Sequence, residues 1–230
     1  MTQAMAQAVI QEQRRPLHLC FGGTFDPVHN GHLRVLLEVT HHLQAERVRL
    51  LPCHIPPLKE QPESSTAQRL DMLRLALRDQ PDWVIDEREL ARDKPSYTID
   101  TLSDLRRDLG PDVAIAWLVG MDAFACLDQW HRWRELGQRA HIIVVGRPGS
   151  AMPSAGPVAE WAESRLATPE RLRDAAAGLV VHLAVTQQDI ASSQLRAAVR
   201  AGLTPRYLVP DAVAAYIDNH KLYSSVGRAI

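Results

Sequence analysis

The chain has 230 residues, enough for one well-buried domain or at most two small ones. It is 46% hydrophobic and 23% charged with a formal net charge of −1, which argues against disorder and against a broadly basic nucleic-acid surface. No run approaches the roughly 18 apolar residues that a membrane helix needs.

In chain order, "MTQAMAQAVIQEQRR" lacks an apolar core and carries its arginines at the wrong end for a secretory signal. Residues 1–16 therefore read as a loose tail, and a cytoplasmic location is expected. An apolar strand over Leu17–Phe21 runs into "GGTFDPVHNGH", and a helix over His32–Leu43 follows, with Leu33, Leu36, Leu37 and Leu43 at helical spacing. Next come a strand over Arg47–Leu51, a proline-rich loop over 52–65, a helix over Ala67–Arg78 and a strand over Trp83–Asp86. A helix over Thr98–Asp108 precedes strands over Val113–Val119 and His141–Val145, and residues 147–157 read as a mobile surface loop. The pattern then predicts a helix over Val158–Ala177, a strand over Leu179–Ala184, helices over Ser193–Ala201 and Asp211–His220, and a short tail over 224–230.

Strands such as "AIAWLV" and "HIIVV" are apolar throughout, as strands covered by helices on both faces are. Their alternation with helices predicts one domain over 17–223, an α/β doubly wound parallel sheet with C-terminal helices. Ligands of such sheets sit beyond the carboxyl ends of the strands, in the loops that enter the helices. Cys20, Cys53 and Cys126 form no CxxC pair, so neither a disulfide frame nor a structural zinc is expected.

The first such loop is the richest. Gly22 and Gly23 permit close approach of the backbone to something bulky, and Pro27 fixes φ. A helix starting near Asn30 or Gly31 offers unpaired N–H groups and the positive end of its dipole, which suits a phosphate. His29 and His32, three residues apart, can project to one side of the first turn and donate to phosphate oxygens, with added charge when protonated. The same residues also fit a zinc half-site or a plain glycine turn before a helix.

"GGTFDPVHNGH" resembles the HxGH signature of the nucleotidyltransferase superfamily. The chain is similar, within it, to the bacterial nicotinate-nucleotide adenylyltransferases. "LPCHIPPLK", "DERELARDKPSYTIDTL", "WLVGMDAF", "QWHRW", "HIIVVGRPG", "IASSQLR" and "YLVPDAVAAYI" follow in that family's order, so the similarity spans nearly all of 17–223. The resemblance implies a Rossmann-like fold and adenylyl transfer from ATP to nicotinate mononucleotide in NAD biosynthesis, with Mg²⁺ carried on the ATP phosphates. No carboxylate cluster marks a protein-held metal. Neither a nucleic-acid nor a membrane partner is expected, and nothing in the sequence sets an oligomeric state.

The resemblance also implies roles for residues. His29, His32 and Arg196 are the catalytic candidates, and Gly22, Gly23, Thr24, Phe25, Gly120, Asp122, Arg147, Ser192 and Ser193 join them around ATP. Lys59, Ser96, Tyr97, Thr98, Trp130 and His131 are candidates for the mononucleotide, with backbone N–H groups near Thr98 receiving the carboxylate and Trp130 stacking on the cationic ring. Ser192 and Ser193 are expected to cap a helix. The chain departs from the family at Ala191, usually serine, and at Leu58, often histidine. Two other readings share these residues: a related adenylyltransferase for nicotinamide mononucleotide or another phosphorylated acceptor, and a nucleotide sensor without turnover.

Overall fold

Along each strand, alternate side chains are buried against opposite layers of helices. In strand β4 (Ala114–Gly120), Ala114, Ala116 and Leu118 enter one core while Ile115, Trp117 and Val119 enter the other. The computed structural model that shows this describes residues 14–58, 60–146, 149–186 and 188–224.

The other strands are β1 (Leu17–Gly23), β2 (Arg47–Pro52), β3 (Trp83–Ile85), β5 (His141–Gly146) and β6 (Val180–Ala184). All neighbours pair in parallel, in the order β3-β2-β1-β4-β5-β6. Helices α1 (Asn30–Leu43), α2 (Thr66–Leu77) and α7 (Asp211–Asn219) supply Leu36, Val39, Met72, Leu73, Val213 and Ile217 to the first core. Helices α3 (Thr98–Leu109) and α5 (Pro157–Glu163) supply Ile99, Leu102, Val158 and Trp161 to the second. Two further helices, α4 (Met121–Ala125) and α6 (Ser192–Arg200), start just beyond the carboxyl ends of β4 and β6.

The strand order reverses direction between β1 and β4, and a doubly wound sheet opens its ligand crevice at that point. The opposite, amino-terminal end is closed by Arg106. Its guanidinium donates to the carbonyls of Gly110, Val113, Arg139 and Ala176 at 2.6–3.0 Å, tying the entrances of β4, β5 and β6 together. Among the described residues, no helix is long and apolar enough to cross a membrane.

Every expected strand forms, and every expected helix but one lies within two residues of its predicted bounds. The exception is Val158–Ala177. Helix α5 ends at Glu163, and Leu166 then bridges to Val180 at the sheet edge, with Ala167 N–H donating to Val180 O and Val180 N–H to Arg165 O. Thr168 is extended before Pro169, which lacks an N–H and begins only a short 3₁₀ turn over Pro169–Arg173. Sheet pairing and one proline together override the helical pattern. Helix α4 and the 3₁₀ turns over Leu127–Gln129 and Trp133–Gln138 are too short to carry a readable period. In the loop after β5, Met152 packs on the second core and Ser150 folds back over Gly146, where an added Cβ would lie 1.9 Å from Ser150 Oγ.

Candidate active site

His29 is the N-cap of α1, and its extended backbone (φ −144°, ψ 166°) turns the chain into the helix. His29 N–H donates to His32 Nδ1 and His32 N–H donates to His29 Nδ1, both at 3.3 Å. The two rings stack with centroids 3.6 Å apart and planes 20° from parallel. An Nδ1 that accepts a backbone N–H carries the lone pair, so the proton of each neutral ring sits on Nε2. The motif thus holds two imidazoles side by side with Nε2–H donors. Gly31 makes room for this, since a Cβ there would come within 3.0 Å of His29 Nδ1. Phe25, buried and in the left-handed region at φ 51°, packs edge-on against His32 at 5.4 Å.

Burial lowers the His29 pKa to about 4. His29 is therefore a neutral donor at physiological pH in the free protein, so of the two states the sequence allowed it takes the one without added charge. Between pH 4 and 6.5 the unfolded chain binds the proton that folded His29 refuses, so stability falls as pH drops through this window and levels off below it. The expected loss is on the order of 3 kcal/mol. Urea unfolding from pH 4 to 7 should show a shallower slope in His29→Gln; an unchanged slope contradicts a neutral His29.

The first amide of α1 is not open to a ligand as the sequence suggested: Asn30 N–H donates to Leu208 O at 2.8 Å. The paired glycines make room within the protein itself. A Cβ at Gly22 would meet Trp117 Cζ2 at 2.6 Å, and one at Gly23 would meet the Phe25 ring at 2.9 Å. The bulky groups they accommodate are the protein's own rings. Thr24 offers its carbonyl to Arg69, whose Nη1 also donates to Cys53 O. Asp26 is buried and accepts from Glu63 N–H at 2.7 Å, Ser64 N–H at 3.3 Å and Tyr223 O–H at 2.7 Å.

These contacts tie the loop after β2 and the C-terminal segment to the HNGH turn. Neither Arg69 nor Asp26 was singled out from the sequence. The signal for Arg69 was an arginine on the buried face of α2, beside Leu70, Met72 and Leu73.

Helix α6 approaches the same turn. Ser192 Oγ donates to Pro27 O at 3.0 Å, and Arg196 Nη1 donates to Asp26 O at 2.8 Å. Arg196 Nε also donates to Glu63 Oε1 at 2.7 Å. The N-cap of α6 is Ala191 and no side chain caps it, so Ser192 and Ser193 do not play the capping part expected of them. The Ala191 departure therefore removes the cap itself. Ala191→Ser is expected to stabilise the fold by about 0.5–1 kcal/mol, read from the urea midpoint at unchanged m; a loss of stability would contradict this geometry.

Across the switch point, Gly120 caps the start of α4, and a Cβ there would meet nothing within 4 Å. Asp122 lies exposed in the first turn of that helix. Further along the same rim, Tyr97 caps α3 with no side-chain bond, and Thr98 and Ile99 carry its leading amides, which have no intrahelical acceptor. The Tyr97 ring lies 4.4 Å from the His131 ring, and Tyr97 and Trp130 both pack against the second core. Ser96 is turned inward: it is buried and its Oγ accepts from His54 N–H at 3.0 Å, fastening the loop after β2 to the start of α3. Lys59 and Arg147 lie outside the described residues.

Among the described residues no three His, Cys, Asp or Glu side chains gather as a metal site. The loops at the carboxyl ends of the strands carry donors instead: the imidazoles of His29 and His32, the Arg196 guanidinium bonded to Asp26 O in the same loop, and the leading amides of α3. A doubly wound sheet with such donors at its switch point is a domain built to handle nucleotides and their phosphates. A cytidylyltransferase-like family model matches residues 20–198. A protein of Cellvibrio japonicus named "Probable nicotinate-nucleotide adenylyltransferase" is 47% identical over 209 residues, covering 91% of this chain and 99% of its own length. A protein of the same name from Marinobacter nauticus is 44% identical over 210 residues, covering 91% and 97%. The solved Plasmodium falciparum nicotinic acid mononucleotide adenylyltransferase complexed with NaAD shares the fold, with a TM-score of 0.67 at 16% identity over 90% of this chain and 97% of that one. The chain belongs to the nicotinate-nucleotide adenylyltransferase family, within the cytidylyltransferase-like group.

Proposed function

We propose that this protein transfers the adenylyl group of ATP to nicotinate mononucleotide, forming nicotinate adenine dinucleotide and pyrophosphate in the cytoplasmic synthesis of NAD. The observation that supports this reading at the level of the site is the locked pair of His29 and His32 at the end of the loop after β1, a loop to which Arg196 also bonds at Asp26 O.

In the reaction an oxygen of the mononucleotide 5′-phosphate bonds to the α-phosphorus of ATP while the bond from that phosphorus to the β-bridging oxygen breaks. The electron pair leaves with pyrophosphate. The nucleophile is already ionised at neutral pH, so no general base is required, and catalysis rests on alignment and on stabilising charge at the transferring phosphoryl group. His32 and His29 donate to α-phosphate oxygens through Nε2–H. Arg196, on the first turns of α6, meets the leaving end. Gly120 leaves space beside β4 for the nucleoside, and Asp122 is positioned to accept from ribose hydroxyls. Tyr97, Thr98, Trp130 and His131 form the rim that receives the pyridine ring. Mg²⁺ arrives on the ATP phosphates as part of the substrate, where it offsets their charge.

The test is chromatographic detection of the dinucleotide together with pyrophosphate release from ATP and nicotinate mononucleotide. Both products in equal amounts are expected, and the absence of dinucleotide from folded protein overturns the assignment.

A further inference from the structure

Arg196 and Arg200 stand four residues apart on α6 and share one carboxylate. Arg196 Nε donates to Glu63 Oε1 at 2.7 Å; Arg200 Nη1 donates to Glu63 Oε2 at 2.6 Å and its Nη2 to Oε1 at 3.2 Å. Residues i and i+4 present their side chains on the same helix face, so the two guanidiniums form a single anion-facing pair. The backbone under Glu63 is fixed by its N–H bond to Asp26 Oδ2, yet its side chain is 38% exposed and has three rotatable bonds. The carboxylate can leave the pair for water without moving the loop.

We infer that Arg200 joins Arg196 as a second site for the pyrophosphate end of the nucleotide, and that Glu63 occupies this two-arginine site until nucleotide displaces it. The inference rests on the proposed adenylyl transfer for the identity of the incoming anion. Its physical basis is exchange on the same donors. A guanidinium fork donates to phosphate oxygens as it does to a carboxylate, and a pyrophosphate brings more charge and more acceptor oxygens than one glutamate. Glu63 and the incoming phosphates repel each other, so both cannot hold the pair together. With both side chains well exposed, the Arg200–Glu63 ion pair is weak, so Glu63 is a displaceable occupant that sets the apparent affinity for ATP without closing the site.

The test combines calorimetric binding of inorganic pyrophosphate with the KM for ATP, in the full chain and in E63Q, R200Q and the double variant. E63Q is expected to tighten pyrophosphate binding and lower the ATP KM by about two- to fivefold, the range set by loss of one exposed ion pair. Adding R200Q to E63Q should reverse that gain and weaken pyrophosphate binding below that of the unmodified protein. An unchanged or weakened affinity in E63Q means the carboxylate supports the arginines, and the occupant role falls. No effect of R200Q in the E63Q background removes Arg200 from the site. If the unmodified protein makes no dinucleotide, the proposed function fails; if it does and E63Q shifts nothing, only this inference fails.

Discussion

Replacing His32 with alanine is expected to raise the barrier of adenylyl transfer by about 2–4 kcal/mol, roughly thirty- to several-hundredfold in kcat, with a much smaller change in the KM for ATP. The reason lies in the ring arrangement. His32 Nδ1 is occupied by His29 N–H at 3.3 Å, so the ring's orientation is set before substrate arrives and its Nε2–H needs no reorganisation as charge builds on the α-phosphate. Alanine removes that donor and also the acceptor for His29 N–H. His32→Asn separates the two effects, because an amide oxygen at this first-turn position can still accept from the N-cap. The asparagine variant should regain stability in urea while kcat stays low. Full turnover in either variant would show that His32 serves only to cap α1.

Nicotinate mononucleotide is expected to be preferred over its nicotinamide counterpart by at least about a hundredfold in kcat/KM. In the proposed site the carboxylate is received by the leading amides of α3, at Thr98 and Ile99, next to Tyr97, whose ring lies 4.4 Å from that of His131. A carboxylate accepts at both oxygens. A carboxamide sets its own NH₂ against one of those N–H donors, and an unpaired buried donor costs about 1–3 kcal/mol before the lost charge assistance is added. Pyrophosphate release with each mononucleotide under identical conditions measures the ratio. Comparable values for the two substrates would overturn the acid assignment. Trp130→Ala should damage turnover of both, since stacking on the cationic ring is independent of the carboxylate.

Much of the scaffold was legible in the chain because its physics is local. Strands buried on both faces must be apolar at every position, as "AIAWLV" is, and helices beside them must repeat at 3.6 residues, as Leu33, Leu36, Leu37 and Leu43 do. The ligand-bearing end of the sheet followed from that alternation, whereas the switch point needed the strand order of the folded sheet, and the HNGH turn announced itself through residues adjacent in sequence. The segment 158–177 was misread because its helical pattern continues past the residues that the edge of β6 captures through Leu166, a pairing that no local window contains.

What the chain alone determined is therefore the kind of sheet, the end of it at which ligands sit, and the presence of two imidazoles at one helix start and of serines and an arginine on the first turns of another. Tertiary structure decided their chemical state. Burial makes His29 neutral, and reciprocal backbone bonds place both imidazole protons on Nε2. It also decided the supports: Asp26 meets Ser64, Ser192 meets Pro27, and Arg196 meets Glu63 across separations of 38, 165 and 133 residues. Protonation and ion pairing depend on which groups exclude water and stand within hydrogen-bonding reach, and those neighbours come together only when the sheet and its two helix layers close.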